Sequence, residues 1–271
     1  MTSSRFPSWL RLLVETIVYL LLLAFFSRYD YACSLALTSS ANAVIVTLGA
    51  RLGPLPVFLV SAYCLMTLNH WKPSLVLKLG ILIAVLAAGY VVILPSMHSL
   101  IELVLTAVLA LGVYLLLHQL PVATEGACSH DAINLGLWSS VGSFVSVHVL
   151  KYIWGRPRFI AVQELHVAFH RWYEIAGPAW WSDYFRSFPS GHTVSASCLL
   201  FLTLLPMLFS ERRSISIYGW IIGLLFTAFI AFTRIMAGMH YLSDVMAGFG
   251  IYLFWYMLLS VIIKHEKEDK L

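Results

Sequence analysis

Apolar residues run along this chain in blocks far longer than the alternation of a strand or the one-sided stripe of a surface helix. A helix that crosses a bilayer needs about 20 mainly apolar residues, and about 17 at the short end. Windows of that kind fall at roughly 9–26, 54–70, 75–94, 99–118, 132–153, 193–210, 217–235 and 241–263. The pattern predicts an all-α fold, a polytopic transmembrane helical bundle of about eight spans. The window at 54–70 is the weakest, being short and opened by Pro54 and Pro56. The run at 41–50 is too short to span and reads as an interfacial piece of the first loop. Arg5 and Arg11 precede the first window as in a signal peptide, but Glu15 interrupts it and no small-residue cleavage site follows closely. That segment therefore reads as a retained span.

Composition narrows the class. Of 271 residues, 60% are hydrophobic and 11% charged, against about 25% charged in soluble domains. A mean hydropathy of +0.85 excludes an ordinary soluble globule and a disordered chain. The net charge of +4, with no basic stripe, argues against nucleic acid as a partner. Cys33, Cys64, Cys128 and Cys198 show no paired spacing, so neither a disulfide framework nor a metal site is expected.

Lys and Arg near the span ends set the orientation. With the N-terminus inside, nine of them face the cytoplasm and eight the other side, six of the eight falling between Lys151 and Arg234. Outside that cluster the count is nine against two, which puts both termini in the cytoplasm. The segment 156–189 has no spanning window, and its Trp172, Tyr173, Trp180, Trp181 and Tyr184 read as an interfacial aromatic belt rather than as substrate contacts.

Polar groups inside apolar spans are costly and default to functional candidates. Glu15, Glu102 and His148 are isolated and receive no role. Three clusters in the second half differ. Lys151, Arg156 and Arg158 close the fifth window; Pro189, Ser190, Gly191 and His192 open the sixth; Thr233 and Arg234 close the seventh, with His240 and Asp244 at the start of the eighth. Free N–H groups at a helix start attract anions, so Ser190 and Gly191 suit a phosphate cradle. His240 and Asp244 are four apart and share a helix face, where a carboxylate can hold one imidazole nitrogen and leave the other as a nucleophile. Alternating topology brings all three clusters to one membrane face.

This constellation resembles the type 2 phosphatidic acid phosphatase family. Its first signature matches Lys151 through Arg158, with Phe159 where the family has proline; its Pro-Ser-Gly-His matches 189–192; its third matches Thr233, Arg234, His240 and Asp244, with Thr233 in place of serine. The resemblance covers about residues 130–263 and implies a six-span phosphatase core. Residues 1–129 then form N-terminal helices of unassigned role, and 264–271 a charged cytoplasmic tail. It further implies that His240 attacks phosphorus to give a phosphohistidine, Asp244 orients its ring, and His192 protonates the leaving oxygen. Lys151, Arg158, Arg234, Ser190 and Gly191 would hold the phosphate, with no cofactor and no metal. Arg156 is off-register from the motif and is not counted.

The expected activity is membrane-embedded lipid phosphatase, acting on the non-cytoplasmic face of a cell membrane. Phosphatidic acid, phosphatidylglycerol phosphate and undecaprenyl pyrophosphate are all plausible substrates, and no obligate protein partner is evident. A lipid phosphotransferase on the same scaffold is the alternative. A transporter or receptor with a degenerate site would be expected to have lost His192, His240 or Arg234, and all three are present. The family's soluble vanadium haloperoxidase relatives do not fit eight apolar runs.

Overall fold

The computed structural model describes residues 8–93, 100–178, 182–209 and 214–268. Arg5, Trp180, Trp181, Glu211, Arg212, Arg213 and Lys270 lie outside the described residues, as does the side chain of Glu102. The chain folds as α1 (Ser8–Phe26), α2 (Asp30–Ser39), α3 (Ala43–Leu52), α4 (Leu55–Trp71), α5 (Leu75–Ile93), α6 (Leu100–His118), α7 (Ala127–Trp154), α8 (Phe159–Glu164), α9 (Gly191–Ser197), α10 (Leu205–Phe209), α11 (Ser214–Met236) and α12 (Leu242–Glu268). Among the described residues there is no strand.

Among the described residues, six stretches are long and apolar enough to cross a membrane: Trp9–Ser39, Ala43–Trp71, Ala127–Glu164, Gly191–Phe209, Ile215–Met236 and Leu242–His265. The windows at 75–94 and 99–118 appear as shorter apolar stretches, Leu75–Val91 and Val104–His118. The protein is a multi-pass helical membrane protein. Its surface is inverted accordingly: Ile83, Leu116 and Leu225 face outward with about two-thirds or more of their area exposed (68%, 70% and 66%). The buried core gathers Cys64, Ile133, Leu200 and Tyr252 from α4, α7, the segment after α9, and α12.

The first and second windows are longer than the sequence predicts. A short 3-10 turn, Ser27–Tyr29, carries α1 into α2 with helical backbone on both sides. Asn42 then caps α3, its Oδ1 accepting from Val44 N at 3.0 Å and Ile45 N at 3.2 Å. Rather than standing off as an interfacial loop, α3 packs on α11. The approach is close enough that a Cβ on Gly49 would collide with Thr233 Oγ1, so this contact requires glycine.

The sixth span is not one regular helix. Residues Cys198–Leu204 wind as a 3-10 segment between α9 and α10. Pro206 explains the change, because it lacks an amide and its ring crowds the carbonyl four residues back. Ser216 on α11 supplies a donor there, its Oγ giving to Thr203 O at 2.5 Å.

Candidate active site

Four helix ends and one returning loop make the site. α7 stops at Gly155, whose φ of +63° is left-handed and favours glycine. The chain beyond it runs extended and pairs with the loop that follows the short turn Asp183–Phe185: Arg158 N donates to Tyr184 O at 2.8 Å, and Ser187 N to Arg156 O at 3.1 Å. That pairing lays 156–158 beside 184–187, directly against the start of α12. Ser190 N then donates to Asp244 O at 2.9 Å, tying the second signature to the third.

A cavity of about 370 Å³ opens between these ends. Lys151, Arg158, Arg186 and Arg234 line it with Gly191, His192 and His240. Pro54, Phe58, Val91 and Phe144 form an apolar wall on the side of α4, α5 and α7. The cavity thus joins a group of cationic side chains to an apolar wall. Among the described residues, the Nε atoms of Arg158 and Arg234 are buried with no hydrogen-bond partner. A buried guanidinium N–H left unpaired is expensive, and an oxyanion in the cavity is the partner such donors suit. One terminal nitrogen of each is committed elsewhere: Arg158 Nη2 donates to Asp183 Oδ1 at 2.8 Å, and Arg234 Nη2 to Val46 O on α3 at 2.7 Å.

His240 is 2% exposed and lies between α11 and α12. Its Nδ1 is 2.6 Å from the Ser187 carbonyl oxygen. A carbonyl can only accept, so the proton sits on Nδ1 and Nε2 keeps its lone pair. Asp244 Oδ2 is 3.8 Å from the same Nδ1, too far for a hydrogen bond but close enough to favour positive charge on the ring. The loop carbonyl therefore sets the tautomer, where spacing alone assigned that task to Asp244. Burial pushes the His240 pKa down to about 4, with the Lys151 and Arg158 charges adding to the depression and Asp244 opposing it.

The remaining expected residues divide into those that reach the cavity and those that do not. Lys151 Nζ donates to Arg186 O at 3.1 Å, and its stem lies beside Gly191. His192 sits on the first turn of α9 and lines the cavity. Ser190 does not line it: its Oγ caps α9, accepting from Thr193 Oγ1 at 2.9 Å and Thr193 N at 3.4 Å. Of the expected cradle, Gly191 is the member at the cavity wall. Asp244 is fully buried behind His240, accepting from Ser187 Oγ at 2.5 Å and Tyr241 N at 2.7 Å.

Sequence reasoning missed four residues. Arg156, set aside as off-register, is 0% exposed and pairs with both Asp244 and Asp30. Asp30 gave no signal of its own. His148, read as isolated, lines the cavity; it sits three residues before Lys151 on α7, and that spacing could have flagged it. Trp172, assigned to an aromatic belt, stacks on Phe188 at 6.0 Å between centroids and so braces the loop. Among the described residues no group of three or more His, Cys, Asp or Glu is arranged to hold a metal ion.

The three signatures identified along the chain thus meet at one cavity, and the comparisons bear on the same stretch. No solved structure shows a significant match. The chain is 29% identical over 80 residues to phosphatidylglycerophosphatase B of Bacillus subtilis (strain 168), an alignment covering 27% of this chain and 37% of that relative. Residues 133–266 match the PAP2 superfamily, and it is through this region, with the cavity and its signatures, that the chain belongs to that superfamily.

Proposed function

We propose that the protein is a lipid phosphatase that removes phosphate from a phosphate monoester or pyrophosphate of a membrane lipid through a phosphohistidine on His240. The observation that carries this reading is the His240 ring, with its Nδ1 proton committed to Ser187 O and the ring on a cavity lined by four cationic side chains. Nε2 attacks phosphorus, an N–P bond forms, and the P–O bond to the lipid breaks. His192 gives its proton to the departing oxygen. Water then attacks the phosphohistidine, passes a proton back to His192, and releases inorganic phosphate. Lys151, Arg158, Arg234 and the first turn of α9 at Gly191 neutralise the equatorial oxygens, the main requirement of a loose phosphoryl transition state. On this reading those side chains fill the role a divalent metal has in kinases, and hydrolysis survives excess EDTA.

The apolar wall of Phe58, Val91 and Phe144 suits an amphiphile whose chain leaves between helices while its head group meets the cations. Phosphatidylglycerol phosphate, which the name of the relative suggests, fits that description, as do phosphatidic acid and a prenyl pyrophosphate. Residues 130–263 carry the phosphatase signatures, with 1–129 as N-terminal transmembrane helices and 264–271 as a charged cytoplasmic tail. The charge count favours both termini in the cytoplasm and the site on the other face of the membrane, which on this reading is the cell membrane.

The test is phosphate release by purified protein across a panel of lipid phosphates and pyrophosphates. His240→Ala abolishes turnover of every substrate. His192→Ala loses about 10²–10⁴-fold on an alkyl phosphate, the usual cost of removing an acid–base group, and distinctly less on p-nitrophenyl phosphate, whose leaving group needs little protonation. If the better leaving group rescues His240→Ala instead, the two roles exchange. Full loss with EDTA, restored by magnesium or zinc, overturns the mechanism.

A further inference from the structure

Behind the cavity lies a charged cluster that the three signatures do not account for. Arg156 sits at its centre, fully buried between the rings of Tyr241 (4.3 Å from guanidinium carbon to centroid) and Phe169 (5.6 Å). Its Nη1 donates to Asp244 Oδ1 and, at 2.9 Å, to Ser243 Oγ; its Nη2 donates to Asp30 Oδ2 at 2.9 Å. Asp30 is 1% exposed and belongs to α2, about 100 residues before the region that matches the family.

The hydrogen bonds fix the charge state of Asp30. Ser243 N donates to Oδ1 at 2.7 Å, and Ser243 Oγ lies 2.5 Å from Oδ2. Arg156 Nη2 can only donate, and it does so to Oδ2 at 2.9 Å. Both carboxylate oxygens therefore receive donors, the pattern of an ionised group. Two carboxylates and one guanidinium leave the buried cluster one negative charge in excess. When Nε2 of His240 bonds to phosphorus, Nδ1 keeps its proton and the ring becomes cationic. The cluster and the ring are then neutral together. With Arg156 and Asp244 alone, the ring would have faced a neutral pair. Uncompensated charge in such a site costs most at the moment it forms.

We propose that Asp30 is a positioning residue for phosphoryl transfer, supplying through Arg156 and Asp244 the buried negative charge that favours the cationic phospho-His240 ring. The inference rests on His240 being the nucleophile. It makes α2 part of the working site, not only of the membrane anchor.

Asp30→Asn keeps the shape and an acceptor while removing the charge. Measured on p-nitrophenyl phosphate and on a short-chain lipid phosphate, kcat falls about 10- to 100-fold, and KM stays within about threefold because the cavity cations are untouched. The loss is the same for both leaving groups, since Asp30 acts on the nitrogen side of the transfer. A wild-type kcat, or a defect carried by KM alone, overturns the proposal. If Asp30→Asn does not purify folded, Ser243→Ala carries the test, because it removes the hydroxyl that bridges Asp30 and Arg156. Its kcat drops about three- to tenfold, the worth of one such bond, and an unchanged kcat overturns the proposal. Should wild-type protein release no phosphate from any substrate, or His240→Ala remain active, the proposed function fails and this inference with it. An active wild type, an inactive His240→Ala and an unaffected Asp30→Asn defeat this inference alone.

Discussion

Two helix pairs precede the signature region and look alike on paper, yet they meet the site in different ways. The pair α2–α3 and the pair α5–α6 are both apolar and both lie outside residues 133–266. The first brings polar atoms to buried depth: the Asp30 carboxylate to Arg156 and the Val46 carbonyl to Arg234. The second packs α5 on α4 and α6 on α5, and of its described residues Val91 reaches the cavity. Two helices in an apolar medium gain little from being apolar; what specifies a contact there is close packing of small residues and satisfied polar groups. The Gly49 contact and the Asp30 pair have that character. The α5–α6 hairpin contributes a wall.

The largest break in this comparison is expected at Arg156. Arg156→Leu leaves Asp30 and Asp244 as two buried carboxylates without their shared cation. Removing one partner of a buried pair typically costs about 3–5 kcal/mol, and here two partners are stranded at once. The variant is expected to lose most of its folded yield in detergent and all activity, read by thermal unfolding and phosphate release. A well-folded Arg156→Leu would mean that α2 is not held to the signature helices by charge.

Next in size is Gly49→Leu. The added side chain has no room against Thr233, the residue beside Arg234, so α3 must move from α11. Overpacking of this kind costs about 1–3 kcal/mol, and the shift withdraws the Val46 carbonyl from Arg234 Nη2. Turnover is expected to fall on every substrate, soluble ones included. The same enlargement at Gly112 on α6, where a Cβ meets nothing within 4 Å, is expected to leave activity intact. Equal losses at both positions would erase the distinction between the pairs.

What the sequence made legible follows the same line. The eight apolar windows and the signatures could be read because each depends on residues close together: a run of 20, a tetrapeptide, a His and an Asp one helical turn apart. Arg156 and Asp30 could not, since they are separated by 126 positions and a lone Asp at the end of an apolar run matches no spacing. Ser190 shows the converse limit. It was named from the correct motif, but a helix cap and a phosphate ligand require the same residue type at the same place, and its hydroxyl serves the cap. The carbonyl of Ser187, which sets the His240 tautomer, is invisible to any reading of side chains.

A pH measurement probes the charges around His240 more gently. Burial, with Lys151 and Arg158, holds the ring neutral down to about pH 4. The nucleophile is then available across the neutral range, and its protonation removes activity only as the pH falls towards 4. Lys151→Met takes away one of the depressing charges, so the His240 pKa rises and the acid limb of kcat/KM moves to higher pH. The profile is read on p-nitrophenyl phosphate. A limb that moves to lower pH would assign the titration to another group.

The smallest effect is expected at the α5–α6 pair. Val91 stands on the apolar wall opposite the cations. Val91→Ala removes two methyl groups from a partly exposed position and touches no charged atom. Fully burying a methylene is worth about 0.8 kcal/mol, and partial burial of this side chain leaves room for a change of only about two- to fivefold. That change is expected in the KM for a long-chain lipid phosphate, with kcat unaltered. p-Nitrophenyl phosphate, which has no chain to lay against the wall, is expected to show no difference. A kcat defect in Val91→Ala would mean that α5 supports the reacting groups as α2 and α3 do. An unchanged KM for the long chain would place the lipid tail elsewhere than between α4, α5 and α7.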